Sequence, residues 1–115
     1  MSFYVNDIRW DIEYVDPYDT KLVDKNGTLR IATTDPETHT IFVVKGLSDD
    51  FKEEVLIHEL SHCFIFSHRL HKYIYKYVKP RYWDEAEECL CNLISLYGRD
   101  ILNLADKELN RKRNR

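Results

Sequence analysis

The sequence predicts an α+β domain in which a small, mostly antiparallel sheet packs on one helix and on a second, C-terminal helix. Three observations carry this expectation. Before Gly46 the apolar residues alternate or come in short β-branched runs; after Ser48 they recur at helical spacing; and turn signals separate the runs. With 115 residues, three glycines and three prolines, the chain has room for one domain, residues 1–110, and none for a linker.

Residues 9–15 place Trp10, Ile12 and Tyr14 on one face of a strand that stops at Asp16-Pro17. Lys25-Asn26-Gly27 is a tight-turn signal before a second strand at 28–33. Asp35-Pro36-Glu37 makes another turn, and the run at 38–44, pairing with its predecessor as a hairpin, completes the sheet. Helical spacing of Phe51, Val55, Leu56, Leu60, Cys63 and Phe64 then predicts a helix to near Ser67, with Asp50 and Glu53 as a capping box. Pro80 forbids a continuous helix through 68–83. A second helix starts at Asp84, capped by Glu87, and reaches about Tyr97; Gly98 ends it, and a short helix from Asp100 to about Leu109 closes the chain.

Composition narrows the function classes. A net charge of −3 exerts no general pull on nucleic acid or anionic membrane. The basic cluster Arg111, Lys112, Arg113 and Arg115 reads as a solvated, disordered tail over 111–115. Residues 1–18 include Asp7, Asp11 and Glu13 and so lack the apolar core of a signal peptide, and nothing approaches the roughly 18 apolar residues of a membrane span. Three cysteines, Cys63, Cys89 and Cys91, fit reduced thiols in a cytoplasmic protein, with Cys89 and Cys91 as small buried hydrophobes.

One stretch carries chemistry: His58-Glu59-Leu60-Ser61-His62, an H-E-x-x-H inside the first helix. Residues four apart lie about 40° from each other around a helix, so both imidazoles leave one face a single turn apart. Two ring nitrogens can then reach one Zn²⁺. Glu59 beside them is placed to take a proton from a zinc-activated water.

A catalytic zinc needs a third protein ligand. His68 stands at the metzincin spacing from His58, but Ile65 occupies the position where that class turns on a glycine, and the only methionine is Met1, so no methionine turn is available. On the second helix, Glu88 and Asn92 share a face, so Glu88 can bind the metal while Asn92 hydrogen-bonds a metal-bound histidine. Glu85 shares roughly the same face and stays open as an alternative, whereas Glu87 is assigned to the cap. For a developing oxyanion, His71, Tyr73, Tyr75 and Tyr82 are candidates without a favourite.

The segments 38–43, 56–62 and 88–98 resemble the small metallopeptidase-like proteins of phages and mobile elements related to the ImmA/IrrE-type gluzincins. The resemblance implies a minimal zincin-like fold, Zn²⁺ as cofactor, Glu88 as third ligand with Asn92 behind it, and peptide hydrolysis. It also implies an extended protein or peptide substrate paired with the sheet near 38–44. A different class of function competes with this one: a catalytically silent, zinc-containing module that binds a protein partner. Retention of Glu59 weighs against it, since a structural zinc has no use for a base.

Overall fold

In the computed structural model, which describes residues 1–112, the N-terminal part of the chain forms a four-stranded sheet: β1 (Ser2–Val5), β2 (Ile8–Val15), β3 (Ala32–Asp35) and β4 (Thr40–Val44). Arg113 and Arg115, half of the basic tail, lie outside the described residues. The strand order is β1-β2-β4-β3. Two hairpins, β1–β2 and β3–β4, are antiparallel, and they join through a parallel β2–β4 pairing that sets Ile12 opposite Ile41. The sheet is therefore mixed, with two of its three pairings antiparallel, and with the helices it makes the small α+β fold that the sequence predicts.

Strand β1 went unread because its turn carries no glycine. Asn6 and Asp7 both take left-handed backbone, φ 49° and 64°, which a two-residue hairpin turn requires and which short polar side chains tolerate. The strand expected at 28–33 begins only at Ala32. Upstream, the Asp24 carboxylate accepts hydrogen bonds from the amides of Asn26 and Thr28 and pairs with Arg30, so local turn chemistry uses the backbone that a ladder would need. β4 is an interior strand; an extended peptide cannot add to residues 38–44, and the sheet offers only β1 and β3 as edges.

Helix α1 (Asp49–Ser67) lies across the sheet. Trp10, Ile12, Ile41 and Val43 from the strands pack with Val55 and Cys63 from the helix to form the core. A short α2 (His71–Ile74) follows, and α3 (Trp83–Glu108) packs back on α1. Neither capping box forms: α1 starts after Ser48 and α3 after Tyr82, each without a side-chain cap. The acids of the first turns, Asp49 and Asp50 in α1 and Asp84 and Glu85 in α3, favour the helix dipole without capping.

α3 also runs straight through Gly98, where sequence reading ended it. Glycine stops a helix by entering left-handed backbone, and Gly98 does not; a mid-helix glycine costs about 1 kcal/mol relative to alanine, an amount the flanking turns can offset. The ion pair between Arg99 and Glu53 joins α3 to α1 just past this point. Among the described residues, no helix is long and apolar enough to cross a membrane.

The core has one polar joint. Trp10, fully buried, donates its indole N–H to Ser67 Oγ at 2.9 Å, and Asn6 donates to the Ser67 carbonyl at 2.9 Å. These bonds tie the first hairpin to the end of α1. Ser67→Ala leaves a buried indole donor unsatisfied, so chemical denaturation of this variant should show a loss of about 1–3 kcal/mol.

Candidate metal centre

The face that α1 turns toward α3 carries His58 and His62, their ring centroids 5.1 Å apart. α3 crosses this face and brings Glu88 to both rings. His58 Nε2 lies 3.0 Å from Glu88 Oε2, and His62 Nε2 lies 2.9 Å from Glu88 Oε1. Ligand atoms of the three residues all fall within 4.8 Å of one another. Two donors bound to one Zn²⁺ at about 2.0–2.1 Å in tetrahedral geometry stand roughly 3.3 Å apart. The two His–Glu88 separations lie within a few tenths of an ångström of this value and no separation in the cluster exceeds 4.8 Å, so side-chain rotation that draws the donors together would seat the ion, and an N,N,O donor set suits it. The Glu88 side chain is half-exposed, so the site opens to solvent on that side.

Glu59 occupies the opposite, closed side. Only 6% of it is accessible, and its Oε2 lies 4.0 Å from His58 Nε2. Thr34 on β3 donates a long hydrogen bond, 3.3 Å, to Oε1. Burial raises the Glu59 pKa above the ordinary carboxylate range, and the neighbouring charges of His62 and His58 only partly oppose it. A buried carboxyl with a raised pKa is poised for proton transfer.

The histidines are steered from behind. His62 Nδ1 is hydrogen-bonded to Glu87, whose other oxygen accepts from Tyr75 Oη at 2.9 Å and lies 2.8 Å from His71 Nε2. Burial alone would lower the His62 pKa; hydrogen bonds with Cys91, Glu87 and Glu88 outweigh it and push the value up to about 12 in the metal-free protein. Hydrogen bonds from His58 and His62 hold Glu88 far below the usual carboxylate range. For Glu87, burial pulls upward most strongly, but the hydrogen bond and charge of His62, the Tyr75 bond and the charge of His71 together outweigh it and lower the pKa. Cys63 is buried with its thiol pushed up to about 12 by desolvation, which keeps it protonated. Cys91 is buried as expected, whereas Cys89 is exposed.

The structure therefore brings together His58, Glu59, His62 and Glu88 from the sequence reading. It leaves Glu85 and Asn92 exposed on α3, and no hydrogen bond joins either side chain to a histidine. Glu87 holds the position behind His62 that was assigned to Asn92. Adjacent glutamates point about 100° apart on a helix, yet Glu88 addresses Nε2 while Glu87 reaches Nδ1 on the other side of the same ring. Once α3 begins at Trp83, Glu87 is past the first turn and has no capping role. His68 caps the end of α1 and stacks on Phe64, away from the cluster. Thr34, Tyr75 and His71 were missed as supports; the i, i+4 spacing of His71 and Tyr75 was the available signal.

Glu87 sets the tautomer and orientation of His62, so Glu87→Gln should weaken zinc binding by about 10- to 100-fold in a competition titration against a chromophoric chelator. Asn92→Ala should leave it unchanged. In comparisons with protein-family models, with curated proteins and with solved structures, nothing matches the chain.

Proposed function

We propose that the chain is a zinc-dependent metallopeptidase of the gluzincin type, with His58, His62 and Glu88 as metal ligands and Glu59 as proton carrier. The observation that carries this reading is the convergence of two imidazole nitrogens on one carboxylate with a buried glutamate alongside. When bound, zinc lowers the pKa of a coordinated water and polarises a carbonyl. Glu59 accepts the proton of the attacking water, the water oxygen bonds to the peptide carbonyl carbon, and the C–N bond breaks. The leaving nitrogen takes the proton that Glu59 returns. A carboxyl kept above its ordinary pKa can serve both steps.

The half-exposed side of Glu88 is where substrate would enter. Because β4 is interior, an extended peptide would add instead to the outer edge of β3, whose Thr34 touches Glu59. Reduced, unpaired cysteines accord with a cytoplasmic setting. The competing reading, a zinc-containing module that binds without cleaving, draws on the apolar side chains that α3 leaves more than half exposed, among them Leu93, Ile101 and Leu104.

Zinc content per chain, measured after metal-replete purification, and cleavage of a mixed-peptide library separate the two readings. About one zinc per chain with cleavage supports the peptidase, and one zinc without cleavage supports the module. Absence of zinc overturns both.

A further inference from the structure

One turn past His62 along α1, Phe66 helps to line a cavity of about 620 Å³. Ile8 at the start of β2, His39 before β4, and Arg69, His71 and Lys72 at the junction of α1 and α2 complete it. No acidic residue lines this space. Neither Arg69 nor Lys72 pairs with a carboxylate among the described residues, and Lys72 lies over the Tyr73 ring, 5.1 Å from its centroid. The cavity thus presents two cations without a carboxylate partner at an exposed rim, above walls of aromatic and aliphatic carbon.

The backbone adds a second observation. The end of α1 closes with Leu70 N–H bonded to the Ile65 carbonyl and Arg69 N–H bonded to the Phe66 carbonyl, a pattern that puts Arg69 in left-handed backbone at φ 55°. Glycine fills that position at least cost, and a long side chain there carries strain of about 1 kcal/mol or more. His39, on the far wall, is also left-handed, at φ 51°. Both strained residues face the cavity. Phe66 is itself held edge-on to Trp10 at 5.9 Å and tilted to His39 at 5.8 Å, so the apolar wall is rigid.

We propose that this cavity binds a small organic anion, its carboxylate or phosphate held by Arg69 and Lys72 and its flat apolar body lying against Phe66 and Ile8. The volume falls within the range of small-molecule sites, and a guanidinium meets either acid group with two parallel hydrogen bonds. His71 forms a wall shared with the metal centre, since it also contacts Glu87. The proposal does not rest on the peptidase reading, and it is tested without metal.

The test titrates the full metal-free chain with phenyl phosphate, benzoate, inorganic phosphate and benzyl alcohol, by calorimetry and by the imidazole NMR signals of His39 and His71. Saturable binding of phenyl phosphate or benzoate, with a Kd of roughly 0.1–1 mM and movement of both histidine signals, is expected. The tighter of the two anions identifies the acid group. Arg69→Gln combined with Lys72→Gln should weaken binding at least about 10-fold. Lys76→Gln, which removes a single positive charge outside the cavity lining, should have no effect. All three side chains are exposed, so a circular dichroism spectrum matching wild type is expected of each variant. Failure of both aromatic anions to saturate, unchanged affinity in the double variant, or equal binding of benzyl alcohol overturns the proposal.

Discussion

On the proposed peptidase reading, Glu59→Gln should bind zinc as wild type does and lose hydrolysis, with kcat falling about 10²- to 10⁴-fold, the usual contribution of a positioned proton carrier. The amide fills the same space and can still accept the Thr34 hydrogen bond, so the ligand geometry of His58, His62 and Glu88 survives. It cannot take up a proton. A second effect follows from burial. Glu59 is 6% exposed, and its only neutral hydrogen-bond partner is at 3.3 Å, so an ionised carboxylate there is poorly compensated. Its folded-state pKa is raised, so its contribution to stability is full below the unfolded value and fades as pH rises through the folded one. The metal-free variant should therefore melt above wild type at about pH 8, with the difference shrinking toward about pH 4. A melting temperature equal to or below wild type at the higher pH would show that Glu59 is solvated or paired in a way the fold does not provide. Zinc retention with undiminished cleavage would remove Glu59 from the reaction altogether.

The period switch after Ser48 marks α1, and the four-residue spacing of His58 and His62 within it places two rings on one face. Such features are local, set by a few consecutive residues. The parallel β2–β4 pairing was hidden because it joins Val15 to Val44 across an intervening loop whose own turns dominate the local signal. Gly98 misled because its effect depends on whether the following residues pack, and Arg99 does so by reaching Glu53 on another helix. Glu87 was the clearest miss. Its cap assignment took Asp84 as the N-cap; the N-cap is Tyr82, two residues earlier, which takes Glu87 out of the first turn and leaves it to bond His62. Helix boundaries are the least certain feature of a sequence reading, and here one boundary decided whether Glu87 read as a cap or as a partner of His62.

The choice between Glu88 and its rivals yields the largest expected change in metal binding. Glu88→Ala should reduce zinc affinity by more than about 100-fold, beyond what loss of a residue behind the ligands produces. The half-exposed carboxylate contacts both Nε2 atoms, one with each oxygen, so its removal takes away the only α3 carboxylate that reaches them among the described residues. Glu85→Ala and His68→Ala should bind zinc like wild type, because Glu85 projects from α3 without touching either ring and His68 stacks on Phe64. The same substitution also tests how the metal-free protein holds together. Glu88 is kept ionised by the two histidines, and this pairing contributes stability above the ordinary carboxylate pKa that is lost as acid protonates it. Zinc offers those nitrogens a stronger partner than the carboxylate alone, and its binding must expel the proton that His62 retains with Glu87 and Glu88 beside it. Zinc affinity should therefore rise with pH in wild type. In Glu88→Ala that dependence should flatten, since one of the contacts holding the proton on His62 is gone. A chelator competition series across pH, run on both proteins, measures the two slopes; equal slopes with equal affinities would remove Glu88 from the centre and reopen the choice of third ligand.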